Sequence, residues 1–353
     1  MAATASISRS APTAVAESPV SPPAFVIAPA GSSSGVPVHG RVFLSPMAGF
    51  SDSPYRRICR RRGAGFAFSE FISAENVRRG ADQALALFRY VPEERPVIFQ
   101  IFGNNADALL YAAQVAEELQ PDVLDINMGC SVRTVAHKGS GAGMLRDPAG
   151  TAQIFERIVK QLSIPVSAKI RLGWDDETRN YHEMTRALVD AGAAMISVHG
   201  RTKMMAYTGV ADWEAIGEIA AKLPVPVLGN GDVQSLAEAE ARRKASGVDG
   251  VLIGRAAIGN PWIFENFESS ESCDSPAPDE RAERTLELEH LHAKLQFYGP
   301  RGLVLFLKHA ARYLKRLPDA AQVLNIRLLT TEDATEFEEI CLDRLTRHPS
   351  LKP

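Results

Sequence analysis

The 353-residue sequence predicts a (β/α)8 (TIM) barrel followed by a small all-helical C-terminal domain. Three observations predict it. Eight short apolar, β-rich runs recur between Val42 and Gly254, stretches with helical spacing of apolar residues separate them, and after Phe267 the strands stop. Strands that are apolar on both faces and alternate with helices imply a parallel sheet covered on both sides. Eight such units within about 215 residues suit a closed barrel better than an open doubly wound sheet, which is the alternative.

Taken in order, residues 1–38 are rich in Ala, Ser, Pro and Val without periodicity and read as a disordered tail. With Arg9 as its one arginine and no amphipathic pattern, this segment makes a poor transit peptide. The uncharged stretch from Ser18 to Gly40 contains five prolines and cannot form a membrane helix. Residues 39–267 carry the barrel. Its strands are read at Val42–Ser45, Phe66–Phe71, Val97–Phe102, Val123–Asn127, Val166–Arg171, Met195–His199, Val227–Asn230 and Gly250–Gly254. Helices are read at Ala106–Leu119, Ile154–Leu162, Tyr181–Ala191, Trp213–Leu223 and Leu236–Ala245, with Asp212 and Ser235 as N-caps and Gly192 and Gly247 past helix ends. Residues 268–280 form an acidic, Ser/Pro-rich linker. Residues 281–353 read as helices at Arg281–Gln296, Leu303–Arg316 and Thr335–Leu345, with Pro318 and Pro349 as stops.

Thirty-nine Lys and Arg against 42 Asp and Glu give a net charge of −3, with 45% hydrophobic and 23% charged residues. That excludes a disordered, collagen-like or polycationic chain, but a local basic face remains compatible with nucleic-acid binding. The four cysteines, Cys59, Cys130, Cys273 and Cys341, form no CxxC pair, which excludes a zinc ribbon or thioredoxin-type motif. Few and scattered, they suit reduced thiols in a cytoplasmic protein. No metal site and no membrane contact are expected, and a monomer is the expected state.

Active sites of such barrels form at strand C-termini. Here the strand ends carry Pro46-Met47-Ala48, Glu70, Gln100, Asp125 with Asn127, Lys169 with Arg171, His199 with Arg201, Asn230-Gly231-Asp232 and Gly254-Arg255. Each alone has a structural explanation; eight in succession point to a site. The turns at Asn230-Gly231-Asp232 and Gly254-Arg255 lie where barrels commonly bind phosphate: glycine lets backbone N–H groups approach the anion and Arg255 adds charge. Lys169 and Gln100 are polar groups inside apolar strands and need partners, either internal ones such as Glu70 or Asp125, or the carbonyls and ring nitrogens of a flavin. Cys130, on the loop after the fourth strand, can act as nucleophile, acid or redox partner. The glycine-rich Lys138–Gly143 lacks dinucleotide spacing and reads as a loop bordering the substrate.

The motifs Leu44-Ser-Pro-Met-Ala-Gly-Phe-Ser-Asp, Asp125-Ile-Asn-Met-Gly-Cys130 and Lys138-Gly-Ser-Gly-Ala together resemble the tRNA-dihydrouridine synthases, most closely the bacterial B-type branch. So do Lys169-Ile-Arg-Leu-Gly-Trp, Val198-His-Gly-Arg-Thr, Gly229-Asn-Gly-Asp and Ile253-Gly-Arg-Ala-Ala-Ile-Gly-Asn-Pro-Trp. The likeness covers residues 41–267, with a weaker match at Lys308-His-Ala-Ala-Arg-Tyr. It implies an FMN enzyme that reduces the C5=C6 bond of selected uridines in tRNA with electrons from NADPH. By the same resemblance Pro46, Met47, Ala48, Gln100, Lys169, His199, Asn230, Gly231, Asp232, Gly254 and Arg255 would hold FMN. Cys130 would donate the proton to C5, with Asn127 beside the uracil, and Arg171 and Arg201 are further candidates for substrate contact. One departure stands out: Ser131 follows the cysteine where the family usually has proline.

Two runs could serve RNA. Arg56, Arg57, Arg60, Arg61 and Arg62 lie on one helix with no acid among residues 54–62, and Arg301, Lys308, Arg312, Lys315 and Arg316 recur without an acid. A uridine would have to leave its stack to reach the barrel mouth. The competing readings are a flavin oxidoreductase acting on a free pyrimidine and a flavin-free RNA-binding barrel.

Overall fold

The computed structural model describes residues 22–29, 31, 32, 34–265, 279–314 and 327–347. A two-stranded antiparallel hairpin, β1 (Phe25–Ile27) and β2 (Val36–Val38), precedes the barrel. The barrel strands are β3 (Val42–Leu44), β4 (Ala67–Ser73), β5 (Val97–Phe102), β6 (Val123–Met128), β7 (Val166–Arg171), β8 (Ile196–His199), β9 (Val227–Asn230) and β10 (Gly250–Ile253). All pair in parallel with their chain neighbours, and β10 pairs with β3, so the sheet closes on itself. The eight predicted strands are therefore the barrel, within a residue or two at their ends.

Outside the barrel, helices bury small and aliphatic faces against it. Ala106–Glu118 buries Ala108, Leu109, Ala112, Ala113 and Ala116 at helical spacing. The expected caps form: Asp212 accepts from Ala215 N at 2.9 Å, Ser235 Oγ accepts from Glu238 N at 3.1 Å, and Gly247 takes the left-handed conformation at φ 71°. Short helices at Ala74–Arg78, Asp82–Ala86 and Arg133–Ala136 were not legible, because one helical turn carries too few residues to show a period.

The inward-facing residues run from apolar to polar along the strands. Phe43, Ile98, Val123, Met195, Leu228 and Leu252 pack at the lower end, where Ile27 and Val38 of the hairpin join them. This corrects the expectation of a disordered tail through residue 38. Strands β1 and β2 bury Ile27 and Val38 under the barrel, and strands of three residues, one containing Pro37, are too short for alternation to register. Residues 1–21 of that expected tail, and nearly all of the expected linker, lie outside the described residues.

Three C-terminal helices, Glu280–Tyr298, Arg301–Tyr313 and Ala334–Arg347, share a second core around Leu291, Leu303, Phe306, Ala310 and Phe337. Ile58 and Trp262 from the barrel side enter the same core, so the appendage is packed onto the barrel. The seam is polar as well. Lys294 Nζ reaches Asp52 Oδ2 at 2.5 Å and lies 3.5 Å from His309 Nε2, with all three side chains buried. Asp52, His290 and His309 cluster there, and the Lys294 ammonium already serves the carboxylate.

The first basic run is mostly spent on structure. Arg56 is 1% exposed and bonded to the fully buried Glu94 at 2.6 Å, and it donates to the carbonyls of Ser51 and Arg89. Arg60 donates to the carbonyls of Ala64 and Arg95, Arg61 pairs with Glu289 and Arg62 with Glu265. Four of the five arginines are thus committed within the protein, so little of this run is left to track phosphate. In the second run, Lys315 and Arg316 lie outside the described residues. Because Glu94 is the only carboxylate bonded to buried Arg56 among the described residues, Glu94→Ala should destabilise the fold by about 3–5 kcal/mol. Urea unfolding at neutral pH checks this, with a change under about 1 kcal/mol contradicting it.

Candidate active site

Strand register assembles the site. Parallel pairing sets Gln100 beside Asp125 and Asp125 beside Ser167, forming one inward layer. One step up lie Asn127 and Lys169, and further along the register Arg171 pairs with His199 and His199 with Asn230. Since side chains alternate across a strand, residues two apart share the interior, and these polar groups stack toward the C-terminal mouth.

They open into a cleft of about 670 Å³, within the range of small-molecule and cofactor pockets. Pro46, Met47, Ala48, Asn127, Cys130, Lys169, Arg171, His199, Asn230, Gly231, Asp232, Gly254 and Arg255 all line it. The structure thus brings together thirteen residues singled out from the sequence. Gln100 and Arg201 are not at its surface. Gln100 is fully buried behind Asn127, and Arg201 spends its donors on the carbonyls of Thr208 and Gly209 and on Asp232 at 2.5 Å. Arg201 therefore acts on the cleft by fixing Asp232, which also accepts from Ala211 N at 2.8 Å.

The cleft is built for negative charge. Burial lowers the Lys169 ammonium to a pKa of about 7, helped by Arg171 and opposed by Asp125. Lys169 donates to Asn230 Oδ1 at 3.0 Å, and an ammonium carries two more donors. Neither Glu70 nor Asp125 forms an ion pair with it among the described residues, so the internal salt-bridge alternative does not account for this lysine. Burial also brings Arg171 down to about 10, while its guanidinium holds the carbonyls of Gly129, Thr202 and Ala206. His199 is held well below the usual histidine range by burial and then by Arg171, Lys169, Arg201 and Arg255. It is neutral at pH 7.

The Asn230–Asp232 turn needs glycine at its centre. Gly231 has φ 136°, and a Cβ there would lie 2.5 Å from that of Ala211. Arg255 is 59% exposed beside it and only 3.4 Å from Asp232, leaving its charge largely for an anion. An electropositive cleft with spare ammonium donors and tight glycine turns fits a flavin mononucleotide, whose phosphate and ring carbonyls are acceptors.

Cys130 is half-buried on the cleft wall. Burial pushes its thiol up, opposed by the Val132 backbone and by Arg171. Below it, Asn127 Oδ1 accepts from Gly129 N at 3.1 Å and Cys130 N at 2.9 Å. Asp125, fully buried, is raised to about 6 by desolvation against its bonds from Ser167 and Gln100 and the charge of Lys169. Sequence reasoning missed Tyr207, an exposed rim ring with Arg255 4.6 Å and Arg171 5.7 Å from its centroid. Its long loop carried no strand-end signal. Arg312 of the helical appendage also reaches the cleft, although the sequence marks it only as part of a basic run.

The profile of the dihydrouridine synthase family matches residues 43–347, spanning the barrel and the helical appendage. The chain is 39% identical over 290 residues to tRNA-dihydrouridine synthase B of Pseudomonas putida, covering 80% of this chain and 84% of that one. It is 36% identical over 307 residues to the enzyme of the same name from Xanthomonas campestris pv. campestris, covering 86% and 92%. A third relative, the probable tRNA-dihydrouridine synthase 1 of Synechocystis sp., is 36% identical over 291 residues, covering 80% and 81%. With this extent of likeness and a barrel whose mouth gathers the family's motifs, the chain belongs to the dihydrouridine synthase family and is a flavin-dependent oxidoreductase.

Proposed function

We propose that this protein is an FMN-dependent tRNA-dihydrouridine synthase that reduces the C5=C6 bond of selected uridines, drawing electrons from NADPH. The observation that carries the reading is that Cys130 lines the same cleft as Lys169 and the two glycine turns. Arg255 and the Gly231 and Gly254 turns would take the phosphate of FMN. Pro46, Met47, Ala48, Lys169, His199 and Asn230 would surround the ring, with Gln100 behind them and Asp232 holding Arg255. When bound, FMN supplies the hydride that reaches C6 of the uracil.

The chain's own residues do the rest. Hydride arrival at C6 leaves negative charge at C5 and O4, and the Cys130 thiol donates its proton to C5. The resulting thiolate regains a proton from water. Burial of Cys130 keeps the thiol protonated at neutral pH, which is the form a proton donor needs. Asn127 orients the loop that carries it and faces the cleft beside the pyrimidine. Arg171 and Lys169 offset negative charge on the reacting ring. A tRNA substrate is supported by relatives named for tRNA and by a helical appendage that brings Arg312 to the cleft. A free-pyrimidine enzyme has no use for that contact.

Formation of dihydrouridine in unmodified tRNA by the purified FMN-loaded protein and NADPH tests the assignment, and equal turnover of free uridine would overturn it. Cys130→Ala should still take up FMN and be reduced by NADPH, while tRNA reduction falls by about 10²–10⁴-fold. Single-turnover kinetics separate the two steps. Because the thiol must be protonated and sits above its ordinary value of ~8.5, the single-turnover rate should stay level through neutral pH. Loss of the thiol proton should lower it in the alkaline range, and a rate that does not fall there would exclude the thiol as acid. Lys169→Met should weaken FMN binding about tenfold or more, read by flavin fluorescence titration of the apoprotein.

A further inference from the structure

Beneath the cleft wall a row of side chains runs from the barrel interior to the Cys130 loop. Ser167 Oγ donates to Asp125 Oδ1 at 2.6 Å, and Gln100 Nε2 donates to Asp125 Oδ2 at 2.7 Å. Asn127 Nδ2 then donates to Gln100 Oε1 at 2.7 Å, and Asn127 Oδ1 accepts from the backbone N–H of Gly129 and Cys130. Asp125, Gln100 and Ser167 are fully buried and Asn127 nearly so, so water does not compete for the bonds among Ser167, Asp125, Gln100 and Asn127 Nδ2.

The direction of every bond follows from the ends. A backbone N–H can only donate, so Asn127 must turn its oxygen to Gly129 and Cys130 and its nitrogen to Gln100. Gln100 must then present its oxygen to Asn127 and its nitrogen to residue 125. Residue 125 must therefore accept, and a carboxylate does so on both oxygens. Were Gln100 to turn over, its nitrogen would meet the Asn127 nitrogen, and the loop would lose its acceptor.

We propose that Asp125 is a positioning residue for Cys130, holding the cysteine loop in register through Gln100 and Asn127. The inference rests on the reading of Cys130 as proton donor for its catalytic consequence, whereas the geometry of the relay does not. A thiol delivering a proton to one carbon must be held to a fraction of an ångström, and Ser131 lacks the fixed φ that proline confers on a chain. In this protein the loop is instead tied from below, at the two N–H groups immediately before Ser131.

The test is amide hydrogen exchange on the FMN-loaded full chain without tRNA. Asp125→Ala should raise exchange at Gly129 and Cys130 about tenfold while β8 and β9 keep their protection. Asp125→Asn should retain most of the protection, because its oxygen can still accept from Gln100 once the Ser167 hydroxyl turns to take its amide nitrogen. Gln100→Met, which cuts the relay in the middle, should match Asp125→Ala, and the double variant should be no worse than either alone. Wild-type exchange in Asp125→Ala, exchange raised throughout the barrel, or additive effects in the double variant would each overturn the proposal. With tRNA, Asp125→Ala should lower kcat about tenfold at unchanged KM; lost protection with an unchanged kcat would also overturn it. Full tRNA activity in Cys130→Ala would remove the functional reading and leave the exchange result standing, so the two failures are distinguishable.

Discussion

Ionised and amide groups placed inside a closed barrel must find every partner within the protein, and that constraint organises this molecule. An unmet buried donor or charge costs far more than a formed bond returns. Asp125 meets it by accepting from Ser167 and Gln100, Gln100 by bonding Asp125 and Asn127, and Asn127 by turning its oxygen to the cysteine loop. Lys169 meets it only in part, through Asn230. Apart from the Ser197 hydroxyl, which is buried without a partner among the described residues, these groups are bonded up to the cleft floor, and the spare donors of Lys169 face the cleft.

The same rule shapes the seam between barrel and appendage. The loop of Pro46 to Asp52 lines the cleft at one end and carries the Asp52 carboxylate at the other, where Lys294 of the first C-terminal helix takes it. Phe50 meets the His309 ring edge-on at 5.1 Å, and Arg56 fastens Ser51 from inside. Ile58 and Trp262 bury apolar surface in the appendage's core. One face of the cleft is accordingly held by two bodies at once, and Arg312 reaches it from the second.

Much of this was legible in the sequence. Val166–Arg171 reads as a strand because its β-branched and small residues suit a sheet buried on both sides, and Lys169 breaks that pattern conspicuously enough to mark the site. Asp212, Ser235 and Gly247 announce helix ends through local chemistry. The hairpin under the barrel was not legible, since Ile27 and Val38 gain their burial from Phe43 and Phe66 rather than from any local pattern. The internal partners of the arginines in residues 56–62 were not legible for the same reason: Glu94, Glu265 and Glu289 are distant in the chain.

By itself the sequence determined the strand and helix periods, the count of eight units and the kinds of polar group gathered at the mouth, because periodicity and capping act over a few residues. Only the tertiary structure decided which of those groups face the cleft and which stand behind it. It set Gln100 and Arg201 in supporting positions, brought Tyr207 and Arg312 to the rim, and spent four arginines on internal carboxylates and carbonyls. Those outcomes depend on strand register and on contacts between segments far apart in the chain, which no local pattern encodes.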